Sequence, residues 1–174
     1  MNNPSNLLTI ISQKLQPLCI ASEIFPPDKT NNFYTLAAQF ESAIFSKLKF
    51  DCNIIPGPEP EDDSEVDMQM FSVIKEDLQL ENLRDVIWTI TKINFVMPFG
   101  HFGVNMDDRI VYWKFSILLN LNMDEENQAT SVIKRLKRSI EYIEDMGKTI
   151  NDVATGKELP SKALKNNKWA QFFK

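Results

Sequence analysis

The sequence predicts an α+β fold: an antiparallel β-sheet of about five strands packed against helices, in the order α-β-β-β-α-β-β-α. Three observations predict it. Residues 92–122 read as the end of a helix, a strand, a tight turn and a second strand. On either side of that hairpin, apolar residues keep i, i+3, i+4, i+7 spacing, over 83–93 and again over 129–153. Between residues 20 and 75, short apolar runs alternate with polar residues and are separated by proline or acidic clusters.

Taken in order, Asn3-Pro4-Ser5 precedes Leu7, Leu8, Ile11, Leu15 and Leu18, a helical stripe that Pro17 ends, so a first helix is expected over 5–16. Residues 20–25 are apolar enough for a short strand, which Pro26-Pro27-Asp28 cuts off. A strand is expected over 34–40, and the longest one over 42–55. In it Ile44, Leu48, Phe50, Cys52 and Ile54 share one face, while Lys47, Lys49, Asp51 and Asn53 take the other. No glycine or proline marks the connection at 39–42, so it reads either as a reversal or as a bend within one strand. Residues 56–67, PGPEPEDDSEVD, hold three prolines and six acidic side chains and are expected to be an exposed loop. They lack the alternating ligands around a glycine turn that a calcium loop requires, so no metal site is expected there.

A third strand is expected over 68–75. Asn82 is placed to cap a helix whose stripe is Leu83, Val86, Ile87, Ile90 and Ile93, with Trp88 off the stripe. Pro98 stops that helix near Met97. Gly100 and Gly103 flank His101 and Phe102, and glycine in a strand marks a bulge or a close backbone approach. Met106-Asp107-Asp108-Arg109 supplies the turn. Beyond it Val111, Trp113, Phe115, Ile117 and Leu119 share one face, against Tyr112, Lys114, Ser116 and Asn120, with Leu118 interrupting the polar side. A face that apolar needs a layer of helices or a second sheet over it. Asp124-Glu125-Glu126 opens the last helix favourably, Gly147 is a candidate break and Gly156 a candidate stop. The expected organisation is one domain over 1–157 and a C-terminal tail over 158–174.

Composition bounds the function. A chain of 174 residues buries roughly 70% of the surface its unfolded form exposes and needs neither disulfides nor a metal. Its net charge of −5 does not favour nucleic acid. Cys19 and Cys52 form no framework and read as reduced thiols, which suits a reducing compartment. The first residues lack a basic start and a long apolar segment, so no signal peptide or membrane span is expected, and the cytoplasm is the default location.

Pro98, Phe99, Gly100 and Phe102, then Asp107 and Asp108, then the run from Arg109 to Leu118, resemble a signature of the YbjN-like family: an aromatic element, an acidic turn and an aromatic strand before a long helix. Met70-Phe71 fits the same pattern. The resemblance spans about residues 34–157 and is best over 83–157. It departs at Gly103, where a bulkier residue is usual, and in the acidic loop. That family is similar in fold to type III secretion chaperones, so the resemblance implies a dimeric α+β sandwich without catalytic residues.

The residues themselves support no catalytic set. His101 is the single histidine, and no serine, cysteine or carboxylate stands in a recognisable relation to it. Lys134, Arg135, Lys137 and Arg138 are bracketed by acidic residues and read as a solvated helix face. No phosphate-cradling glycine loop occurs. The expectation is therefore a non-enzymatic, chaperone-like or adaptor domain without cofactor. It would dimerise through its second or third helix and hold a segment of a partner protein on a sheet edge or face. Trp88, Tyr112, Trp113, Trp169 and Phe172 are the candidate partner or dimer contacts, because the stripes do not obviously bury all of them. The alternative is a small-molecule or ion sensor with a pocket near Phe99 and Phe102.

Overall fold

The computed structural model describes residues 4–29, 31–56 and 65–172. Six antiparallel strands form one sheet in the order β1-β2-β3-β4-β6-β5, and helices cover one of its faces. The strands are β1 (Ala21–Phe25), β2 (Thr35–Ser42), β3 (Ser46–Pro56), β4 (Glu65–Lys75), β5 (His101–Asn105) and β6 (Ile110–Asn120). The helices are α1 (Pro4–Leu15), α2 (Leu83–Val96), α3 (Glu125–Tyr142), α4 (Lys148–Ala154) and α5 (Pro160–Asn166). The α+β class and the antiparallel order follow the sequence pattern. The sixth strand is the short apolar run before Pro26, which pairs with β2 from Ala21↔Gln39 to Phe25↔Thr35.

Alternation decides which face is covered. Leu48, Phe50, Cys52 and Ile54 of β3 are buried, while Lys47 and Lys49 are exposed. On β6 the burial of Val111, Trp113 and Leu119 against the exposure of Ser116 and Leu118 repeats the pattern. Each large apolar side chain so removed from water contributes about 1.5–3 kcal/mol. Above this face α1 packs on α3, and α2 packs on α4 and α5.

Three local expectations are corrected. The reversal between β2 and β3 lies at residues 43–45, not within 39–42. There the Ser42 hydroxyl accepts the N–H groups of Ile44 (3.2 Å) and Phe45 (3.1 Å), and Ser46 takes a φ of 64°. Ile44 thus sits in the turn, 39% exposed, and not on the buried face of β3. Asn82 makes no cap hydrogen bond; its amide donates instead to the Ala154 carbonyl at 3.0 Å, tying α2 to the end of α4. On α2 the buried residues are Val86, Thr89, Ile90 and Ile93, so Ile87 faces outward.

Gly147 does not end the last helix. A π turn (Ile143–Gly147) joins α3 to α4, and a Cβ on Gly147 would lie 3.1 Å from the Phe45 ring. Asp124 caps α3 by accepting the Asn127 N–H at 2.7 Å. Past Gly156 (φ 68°) the chain continues into α5, whose Ala163 and Leu164 are buried. Most of the acidic run, residues 57–64, lies outside the described residues.

Candidate interaction site

The two edges of the sheet are built differently. At β5, the side chain of Asn94 on α2 acts as a substitute strand. Its Nδ2 donates to the Phe102 carbonyl and its Oδ1 accepts the Phe102 N–H, both at 2.9 Å. One amide side chain thereby satisfies the donor and the acceptor that Phe102 would offer to an added strand. Nothing in the sequence singles out Asn94; only the α2–β5 approach reveals it. At the opposite edge, β1 pairs with β2 alone and packs on α1, with a 2.9 Å hydrogen bond between the Ser12 and Ser22 hydroxyls.

Gly100 and Gly103 are both close-approach positions. At Gly100 (φ 68°) an added Cβ would lie 2.5 Å from the Trp113 ring, and at Gly103 it would lie 2.5 Å from Tyr112. The Tyr112 ring therefore lies across Gly103 on the open face of the sheet, stacked on its other side against Phe71 at 5.3 Å. That close fit is the physical reason for a small residue where the resemblance leads one to expect a bulkier one.

The five candidate contacts separate. Trp113 is corrected: it is 0% exposed, beneath the helices, so no partner surface reaches it. Tyr112 is half-buried in its stack. Trp88 is 44% exposed on the outer side of α2, under the Lys92 ammonium at 5.6 Å. Trp169 and Phe172 pack together at the C-terminal end, Trp169 half-buried and Phe172 exposed.

Around Trp88 lies a feature the sequence reading missed. Leu80, Ile87 and Phe95 are also exposed, Phe95 at 90%. Leu80, Ile87, Trp88 and Phe95 recur at near-helical spacing, so α2 and the turn before it carry apolar side chains, among the exposed Arg84, Asp85, Thr91 and Lys92, on the side away from the core as well as toward it. An amphipathic surface helix keeps one stripe only. The signal is in the sequence, but helical spacing places Ile87 with the inner stripe and Phe95 with none. By contrast, the outer side of α3 carries Lys134, Arg135, Lys137 and Arg138, all exposed and without an ion pair among the described residues. Of these, Arg135 lies over the Phe115 ring at 5.7 Å.

Among the described residues the titratable groups lie apart or serve the fold. Burial pushes the Cys52 thiol up to about 12, with the Asp51 charge adding to it, so it is an inert core sulfur. Burial and then the Lys114 charge lower the His101 pKa, and its ring meets Tyr112 edge-on at 6.4 Å. Asp107 and Asp108 serve the turn: the Asn105 side chain accepts both of their N–H groups and donates to Asp108 at 2.7 Å. Among the described residues no group of three His, Cys, Asp or Glu side chains could hold a metal ion, and no helix is long and apolar enough to cross a membrane. Where a pocket was expected, Phe102 is fully buried and Phe99 packs its ring on Phe115 (5.2 Å) and Tyr142 (5.3 Å), filling the space.

No protein-family model matches the chain, and no curated protein matches it either.

Proposed function

We propose that the chain is a non-enzymatic protein-interaction domain that pairs with a second copy through α2 and holds an extended partner segment on the β1 edge. The observation that carries this reading is the outward apolar side of α2, with Phe95 at 90% exposure. That side suits a two-fold pairing. In an antiparallel arrangement centred on Trp88, Lys92 lies four residues from the axis on one side and Arg84 and Asp85 lie four and three residues from it on the other, so Lys92 of each copy meets an Arg-Asp pair. Leu80 and Phe95 stand in the same relation further out. The third helix is the poorer choice, because an isologous contact would set its four cations against themselves.

The β1 edge suits the partner because the other edge is occupied. A strand added at β5 would have to displace Asn94 from Phe102, whereas one added at β1 displaces no side-chain amide found among the described residues. The YbjN-like resemblance points the same way, toward a dimeric, chaperone-like build.

Light scattering on size-exclusion fractions tests the reading. The wild-type chain is expected to elute as a dimer and the Phe95→Glu variant as a monomer with an unchanged circular dichroism spectrum. A monomeric wild type at about 100 μM, where even a weak isologous contact of this kind should be populated, would sink the α2 part of the proposal.

A further inference from the structure

At the far end of the helical layer the chain binds its own tail. Beyond α5, the Asn167 amide donates to the Asp145 carbonyl (3.0 Å) and to the Thr149 hydroxyl (2.8 Å). The Lys168 ammonium pairs with the Asp145 carboxylate at 2.5 Å, and the Trp169 indole N–H reaches the same carboxylate at 3.5 Å. Asn167 also accepts the Trp169 N–H at 2.8 Å, which fixes the turn that presents both side chains. The Trp169 ring then rests on Tyr142, 5.7 Å between centroids. Tyr142 is the last residue of α3, Asp145 lies in the π turn, and Thr149 is one turn further along. π turns recur where helices carry function.

The bound tripeptide defines the chemistry of the site. A carboxylate takes a cation, a carbonyl and a hydroxyl take an amide, and a tyrosine ring takes an aromatic ring. With the tail seated, Thr149 is buried and Asp145 is 22% exposed, and both stand on the continuous run from the π turn into α4. The tail is more exposed than the groups that receive it. Lys168 is 63% exposed, Phe172 is 51% exposed, and Trp169 is half-buried. Segments with few buried contacts open at low cost.

We propose that Tyr142, Asp145 and Thr149 form a peptide-recognition site for an Asn-Lys-aromatic segment, which the tail fills in cis and a partner chain carrying such a segment fills by displacing it. This site is separate from the outer side of α2 and from the β1 edge. A tethered segment competes at an effective concentration in the millimolar range, so the wild-type chain masks its own site. Removing the tail side chains without removing the tail unmasks it.

The probe is a fluorescent peptide with the sequence of residues 167–172, Asn-Lys-Trp-Ala-Gln-Phe, followed by polarisation. The full-length Asn167→Ala, Lys168→Ala, Trp169→Ala variant is expected to bind it at least about ten-fold more tightly than the wild type. Adding Asp145→Asn is expected to remove that gain, as is replacing the peptide's tryptophan by alanine. Should the triple variant lose its helical circular dichroism signal, Lys168→Glu, which sets a like charge against Asp145, takes its place with the same expectation. A folded unmasked variant that binds no better than the wild type overturns the proposal, and so does binding indifferent to Asp145→Asn.

Discussion

The two edges of the sheet solve one problem in opposite ways. Every edge strand presents unpaired N–H and C=O groups. At β5 those of Phe102 meet a side-chain amide from α2, and the strand is anchored on its covered face by Phe102, fully buried, and on its open face by Tyr112 lying across Gly103. At β1 the edge strand has half-buried Ser22 and Ile24 packed toward α1 and the core, and one side-chain hydrogen bond to α1 among the described residues. The contrast teaches that closing an edge takes a neighbour that supplies both a donor and an acceptor at strand spacing. A hydroxyl contact anchors a strand without closing it.

Trp113→Ala should have the largest effect on this contrast. It removes a fully buried ring that touches Phe50 and Phe115 and underlies Gly100. A loss of about 3–5 kcal/mol in denaturant unfolding is expected; a loss below about 1 kcal/mol would mean that the β5 side is not anchored from beneath. Gly103→Val should come next, at about 1–3 kcal/mol, because its side chain meets the Tyr112 ring. Combining it with Tyr112→Ala should recover part of the loss, and strict additivity of the two substitutions would argue against the contact.

Asn94→Ala sharpens the comparison most directly. It leaves the Phe102 N–H and carbonyl unpaired, at a cost of about 1–3 kcal/mol. Amide exchange at Phe102 should accelerate towards the rate seen along β1, while β1 itself is unchanged; unaltered exchange at Phe102 would show that Asn94 does not seal the edge.

Acid provides a control remote from both edges. Burial by itself would raise the pKa of Asp152, but the hydrogen bonds and charges of Lys148 and Lys157 outweigh it and hold the carboxyl below its ordinary 3.8. The stabilisation is therefore complete above that value and is withdrawn as pH falls through the lower, folded value. Unfolding midpoints should drop at acid pH in the wild type and drop less in Asp152→Asn, with the exchange contrast between the edges retained. The smallest effect belongs to Ser22→Ala, about 0.5–1.5 kcal/mol from one hydroxyl pair, read as a slightly lower melting temperature.

By itself the sequence determined the class of the fold, the antiparallel hairpin of β5 and β6 and the faces that β3 and β6 bury. Those depend on period and on punctuation by proline, and both are local. It also held a sign of the outward α2 surface in Phe95 and Ile87, since a helix apolar on two sides is visible as a pattern. Only the tertiary structure decided that Asn94 pairs with the Phe102 backbone at an edge, that Gly103 makes room for Tyr112 and that Asp145 holds Lys168. Asn94 and Phe102 are eight residues apart, Gly103 and Tyr112 nine, and Asp145 and Lys168 twenty-three. None of these pairs shares a helix or a strand, so no periodicity within one element joins them. Their meeting is fixed by how the helices settle on the sheet.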